Sequence, residues 1–127
     1  MVLKGLAAIA VAGVCVAGCG TDQREAAATD AANRFLSSLD NPADACVLLS
    51  PKAKQALESG GEPCAEALGS LDLPGGRVSG ASVWSDRAQA HAGGDTLFLV
   101  ELDTGWRVTA AGCRHETEEN YQCALSD

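Results

Sequence analysis

Cations are scarce in this chain. Its 127 residues include 9 Lys and Arg against 17 Asp and Glu, a net charge of −8. Nucleic-acid binding depends on Lys and Arg at phosphates, and so does a polybasic grip on anionic lipid, so this balance argues against both functions. The simplest interpretation of the acidic balance is a soluble surface that resists non-specific association.

Recognisable catalytic and cofactor motifs are also missing. The sequence has no G-x-S-x-G nucleophile elbow, no HExxH and no glycine-rich phosphate loop. Ser50 and Ser79 have no partner base that the sequence identifies. We therefore predict no catalytic residue, no cofactor and no metal from motifs.

The first apolar run is too short for a comfortable transmembrane helix. It extends from Gly5 to Gly18 after a start with one Lys, and as a helix it would reach ~21 Å against a hydrocarbon core of ~30 Å. Such a run is typical of a signal peptide, which we assign to residues 1–18.

The run ends in Val16-Ala17-Gly18-Cys19, which resembles the lipobox of bacterial lipoproteins. Small residues before a cysteine let the peptidase approach, and the thiol accepts diacylglycerol. Cys15 is a poorer candidate because Val14 precedes it. We predict lipid attachment at Cys19, and the alternative is an ordinary secreted protein whose cleavage site contains a cysteine.

Removal of residues 1–18 would leave 109 residues with a net charge of −9, since Lys4 is lost. That length suits one domain. We predict a short tether at residues 19–23 and a globular domain at 24–127. The expected location is the extracytoplasmic face of the cell membrane, with the lipid on Cys19 as the membrane partner.

Four cysteines follow Cys19, an even number that indicates two disulfides in an exported domain. Zinc is the alternative, but the cysteines lack the short C-x₂₋₄-C pairs that zinc sites use. Three pairings are possible. We predict Cys46–Cys64 because the chain can double back through one helix and a Gly-Gly turn. We predict Cys113–Cys123 because a charged loop returns the chain between them.

The first half of the chain has a helical period. Asp22 and Glu25 are a candidate cap for a long helix that ends at Asn41-Pro42, and three short helices follow. Asn41-Pro42, Ser50-Pro51 and Pro63 are the expected helix starts, and Gly60-Gly61 an expected stop. The apolar face of the long helix recurs at helical spacing: Ala28, Ala31, Ala32, Phe35, Leu36 and Leu39.

The second half has a strand-like pattern. Gly93-Gly94-Asp95 and Asp103-Thr104-Gly105 are expected hairpin turns. Together the two halves predict an α+β domain, with helices on one face of a curved antiparallel sheet of four to five strands. The expected strands cover residues 78–84, 87–92, 96–102, 106–111 and 121–125.

The element order, the leader and the string Gly105-Trp106-Arg107-Val108 resemble small lipoproteins of high-GC Gram-positive bacteria, which are similar to the nuclear transport factor 2-like superfamily. The resemblance covers roughly residues 24–126, and its motifs are short. It implies a cystatin-like cone, a curved sheet wrapped around a long helix, and it implies no single function.

Enzymes of that superfamily, such as ketosteroid isomerase, place an acidic base and donor groups inside the cone. We expect a solvated surface position for both histidines, packing near a disulfide for Tyr121, and solvation for the acidic cluster near residues 116–119. Both tryptophans are expected in the core, with the indole N–H bonded to backbone. The candidate groups are His91, His115, Tyr121, Glu101, Asp103, Trp84, Trp106, Glu116, Glu118 and Glu119.

No constellation of polar groups stands out among these residues. The sequence therefore favours a membrane-anchored extracytoplasmic lipoprotein with a non-catalytic module that binds a small molecule or an envelope protein. The alternative is an isomerase- or cyclase-type enzyme that uses the cone cavity. Two or more titratable groups facing one cavity would distinguish the enzyme from the binding module.

Overall fold

Helices come first along the chain and strands second. The computed structural model describes residues 19–118 and 120–127, so the predicted signal peptide lies outside the described residues. The elements are α1 (Cys19–Ser37), α2 (Pro42–Cys46), α3 (Pro51–Glu58), α4 (Cys64–Ser70), β1 (Gly80–Trp84), β2 (Arg87–Ala92), β3 (Asp95–Leu102), β4 (Gly105–His115) and β5 (Tyr121–Ser126).

The five strands form one open, curved antiparallel sheet in the order β1-β2-β3-β4-β5. Helix α1 packs across this sheet and contacts β1, β2 and β4. The predicted α+β class, with helices on one face of an antiparallel sheet, is confirmed. Each strand pairs with the next one along the chain, because antiparallel neighbours can be joined by short turns.

The predicted apolar face of α1 is the face that packs on the sheet. Ala28, Ala32 and Phe35 are fully buried, and Leu36 is 7% exposed. Ala31 and Leu39 are partly buried against the same core. Spacings of three and four residues place all six side chains on one side of the helix, so the period alone located this interface.

The start of α1 differs from the prediction. Residues 19–23, expected as a tether, belong to the helix, and Asp22 lies in its first turn rather than at a cap. A carboxylate in the first turn is favourable because it faces the positive end of the helix dipole. The helix therefore continues directly from Cys19 into the domain.

The proline-marked starts of the short helices are confirmed. Before α3, the Ser50 hydroxyl accepts a hydrogen bond from the Ala53 amide at 3.1 Å. Before α2, Asn41 makes no such cap, and its Nδ2 donates to the Asp44 carboxylate at 2.9 Å.

β4 is longer than predicted, because β5 pairs with its second half. Ala111 lies opposite Leu125, and Cys113 lies opposite Cys123. Gly112 between them has φ +64°, a backbone conformation that suits glycine. The register of β4 against β3 shifts near Phe98.

The two faces of the sheet have different surroundings. We call the face that packs on α1 the inner face; its buried residues include Ala88, Ala90, Leu97, Leu99 and Val108. The opposite face, here called the outer face, carries the alternate residues of the same strands, among them Arg87, Gln89, His91, Phe98 and Val100.

Candidate functional site

The space between α1 and the inner face is filled by apolar side chains. In the described part of the chain, the buried polar side chains are Ser50, Thr96 and Thr109, and none of them titrates near neutral pH. A superfamily enzyme would need an acid or base at this position. The packed residues are instead Ala28, Ala32, Phe35, Ala88, Ala90, Leu97, Leu99 and Val108.

Trp106 closes one end of this interior. Its side chain is 5% exposed, and the Arg24 guanidinium lies 5.6 Å from the ring centroid. Arg24 also donates to the Ser85 carbonyl and contacts Glu101 Oε1 at 3.1 Å. This cluster joins the first turns of α1 to the end of the sheet.

A second cluster lies across the outer face. Gln89 Nε2 donates to the Tyr121 hydroxyl at 2.8 Å, which links β2 to β5 across two intervening strands. The Tyr121 ring meets Phe98 edge-on at 5.0 Å and His115 at 4.0 Å between centroids. Aromatic pairs in these arrangements stabilise a sheet surface beyond their buried area.

The outer face also carries an apolar groove of about 300 Å³. Val100 and Leu102 from β3 and Pro51 from α3 form its walls, and Arg87 and Lys52 flank it. We call this cavity the outer groove. Its apolar walls and its two cations, against one carboxylate in the lining, are suited to a molecule with an apolar part and a negative charge. Ser50, Thr109 and Asp127 complete the lining.

A larger cleft of about 470 Å³ lies between the end of α1, α4 and the segment that follows α4. Its charged lining residues are Asp40 and Asp72, and Leu36, Leu68 and Leu73 supply apolar surface. The lining of this cleft has two carboxylates and no Lys or Arg, so it is unsuited to an anionic ligand. The outer groove is therefore the better candidate site for an anionic ligand.

The titratable candidates from the sequence lie apart from the interior. His91, His115, Glu101 and Asp103 are exposed, as expected for the two histidines. His91 Nδ1 is 3.2 Å from the Thr96 hydroxyl, its register partner on β3. Tyr121 is partly buried. These side chains do not converge on one cavity.

The two tryptophans differ. Trp106 is buried as predicted, but its Nε1 has no hydrogen-bond partner among the described residues, so the expected backbone bond is wrong. Trp84 is 49% exposed, and its predicted core position is wrong. Trp84 alternates with the half-buried Val83 on the edge strand β1, which places the indole on the outer face.

The remaining candidates have local roles. Ser50 caps α3, and the Ser79 hydroxyl donates to the His91 carbonyl at 3.1 Å. Glu116 and Glu118 are exposed, and Glu119 lies outside the described residues. In residues 19–118 and 120–127, no group of three or more His, Cys, Asp or Glu is placed to hold a metal ion.

The structure contains both predicted disulfides. Cys46 and Cys64 join α2 to the start of α4, with Cα atoms 6.3 Å apart. Cys113 and Cys123 are direct register partners on β4 and β5, with Cα atoms 3.9 Å apart. One bridge ties the short helices together, and the other ties the last strand to the sheet.

Sequence reasoning missed the residues that connect distant elements. Arg24, Gln89, Arg87 and Lys52 were not singled out, because an isolated polar residue gives no signal of its partner. One signal was present for Gln89 and Arg87: the alternation with Ala88 and Ala90 predicts that both point away from the alanine face.

Comparison of the chain with protein families, with curated proteins and with solved structures finds no match. In the part of the chain that the structure describes, no helix combines the length and apolar character needed to cross a membrane.

Proposed function

We propose that this chain is a membrane-anchored extracytoplasmic lipoprotein whose domain is a non-catalytic binding module. The lipid is attached at Cys19 after removal of residues 1–18. The supporting observation is the sequence Val16-Ala17-Gly18-Cys19, followed immediately by a helix that is fixed to the sheet through Arg24. A lipid on Cys19 would hold the domain next to the bilayer.

The two disulfides support the exported location. The cytosol keeps most thiols reduced, whereas bridges persist in oxidising compartments. The proposed resemblance to the nuclear transport factor 2-like superfamily is supported by a long helix packed on a curved antiparallel sheet. Fold alone assigns no activity, so the function depends on the site.

The outer groove is the proposed ligand site, for a small molecule with an apolar part and a negative charge. Its support is the combination of Val100, Leu102 and Pro51 with the cations Arg87 and Lys52. The enzymatic alternative has less support, because the buried interior among the described residues has no acid or base. The ligand of the outer groove could equally be part of an envelope protein, provided that it presents an apolar group and a negative charge.

The anchor is tested by mass spectrometry of the processed protein from bacterial membranes. We expect an N-terminal Cys19 that carries diacylglycerol, and release or incomplete processing of Cys19→Ser. Cys15→Ser is the matched control and should be processed normally. A mature chain that starts at another residue, or an unmodified Cys19, contradicts the proposal.

The groove is tested by binding of a fatty-acid anion to the purified domain. Arg87→Gln with Lys52→Gln should weaken binding by at least about tenfold, since two cations beside the ligand are lost. Lys54→Gln with Arg114→Gln removes two exposed cations that do not line the groove and should leave binding unchanged. Equal binding by both variants contradicts the assignment of the outer groove.

A further inference from the structure

Two of the exposed large apolar side chains lie at the same end of the sheet. Trp84 is 49% exposed and Leu102 is 36% exposed. Each directly precedes a two-residue turn, β1–β2 for Trp84 and β3–β4 for Leu102. We call this surface the turn end and define it as residues 84–86 and 102–104.

The strand register places both side chains on the outer face. Trp84 pairs with Arg87, and Arg87 pairs with Val100. Leu102 follows Val100 by two residues, so it points to the same side. The indole and the leucine therefore lie on the same face at the same end of the sheet, two strands apart, with Arg87 on the strand between them.

The first turns of α1 lie at the same end. Arg24 donates to the carbonyl of Ser85, in the β1–β2 turn, and contacts Glu101 at 3.1 Å. Cys19 precedes Arg24 by five residues of continuous helix, an axial distance of ~7.5 Å. A lipid on Cys19 would therefore hold the turn end within about 5–11 Å of the bilayer surface, a distance of one to two helical turns.

Charged side chains of both signs accompany these apolar residues. Arg24 contacts Glu101 at 3.1 Å and Arg87 lies 3.8 Å from Asp86, while Arg107 donates to the Thr104 carbonyl at 3.2 Å beside Asp103. Indole rings favour the headgroup region of a bilayer, where polar and apolar groups meet. An exposed indole and an exposed leucine among charges that balance are therefore suited to the interface of a lipid surface.

We propose that the turn end rests on the bilayer, with Trp84 and Leu102 at the level of the lipid headgroups. This inference depends on the proposed lipid at Cys19, which provides the membrane affinity. Trp84 and Leu102 then determine the orientation of the domain, because a lipid attached to one residue leaves the protein free to rotate. The outer groove, which Leu102 also lines, would open near the membrane surface.

The experiment measures tryptophan fluorescence of the lipidated protein on phosphatidylcholine–phosphatidylglycerol vesicles, with and without brominated acyl chains. Mass spectrometry first establishes that the protein carries the lipid on Cys19. Brominated chains should lower the Trp84 emission by at least about twofold, because bromine quenches an indole at the membrane interface. In Trp84→Phe, only the buried Trp106 remains, and the quenching should disappear.

A matched control moves the exposed indole to another site. Val47 is 70% exposed and lines a surface recess with Arg34, ten residues along α1 from Arg24, or ~15 Å. Val47→Trp in the Trp84→Phe background should give no quenching. Equal quenching at positions 47 and 84, or none at position 84, overturns the inference while the anchor stands. Absence of lipid on Cys19 overturns the anchor and the inference together.

Discussion

The guanidinium carbon of Arg24 lies 5.6 Å from the centroid of the Trp106 ring. The same guanidinium donates to the Ser85 carbonyl and contacts Glu101 at 3.1 Å. One side chain therefore joins helix α1 to β3, β4 and the β1–β2 turn. This contact determines where the start of the helix lies on the sheet.

Arg24→Ala should lower the free energy of unfolding by about 1–2 kcal/mol, because it removes a cation–π contact and two polar contacts of a half-buried side chain. Denaturant unfolding of the disulfide-intact domain measures this value. Arg34→Ala is the control: Arg34 is exposed on the same helix, and the change should stay within about 0.5 kcal/mol. Equal losses in both variants contradict a specific role for Arg24.

Removal of either disulfide should destabilise the domain. Cys46→Ala with Cys64→Ala opens a loop with a separation of 18 residues, and Cys113→Ala with Cys123→Ala opens one of 10 residues. The chain-entropy model gives losses of about 3.2 and about 2.7 kcal/mol, respectively. Thermal unfolding of each double variant measures the loss.

Peptide mapping without reduction tests the pairing independently. We expect one peptide that links Cys46 to Cys64 and another that links Cys113 to Cys123. A link between the helical and the strand cysteines contradicts both assignments, whereas free thiols would also weaken the argument for an exported domain.

Local periodicity predicted most of the fold. The face of α1 that contains Ala28, Ala32 and Phe35 repeats at helical spacing, and the β2 alternation separates Ala88 and Ala90 from the outer face. Proline and glycine predicted the helix starts and the turns. These features depend on neighbours along the chain, so one sequence is enough to identify them.

Contacts between distant elements could not be predicted in this way. The exposure of Trp84 depends on what covers the outer face of an edge strand, and periodicity does not report it. The outer groove combines Lys52 on α3 with Arg87 on β2, two residues whose proximity exists only after folding. The longer β4 likewise depends on its pairing with β5.

Gly112→Ala should destabilise the domain by about 1–3 kcal/mol. Gly112 has φ +64°, and an added Cβ would lie 2.8 Å from Leu73 Cδ2 and 3.1 Å from the Ala124 Cβ. The substitution therefore combines backbone strain with a collision that Leu73 must relieve. Denaturant unfolding measures the loss.

Gly93→Ala separates these two causes. Gly93 has φ +60°, but no heavy atom lies within 4 Å of an added Cβ. Backbone strain alone should cost about 1 kcal/mol at this turn. If Gly112→Ala costs no more than Gly93→Ala, the packing of Leu73 against β4 does not constrain the fold.

Tyr121→Phe should lower the free energy of unfolding by about 0.5–1.5 kcal/mol. The change removes the hydroxyl that accepts a hydrogen bond from Gln89 Nε2 at 2.8 Å and keeps the ring against Phe98. Because Gln89 is half-buried, water replaces only part of the lost bond. A double-mutant cycle with Gln89→Leu measures the coupling between β2 and β5.

Hydrogen exchange of the β5 amides provides the second measurement of this coupling. Tyr121→Phe should speed their exchange more than that of the β1 amides. A coupling energy near zero, together with unchanged exchange in β5, would mean that Cys113–Cys123 and the β4 pairing hold β5 without Tyr121.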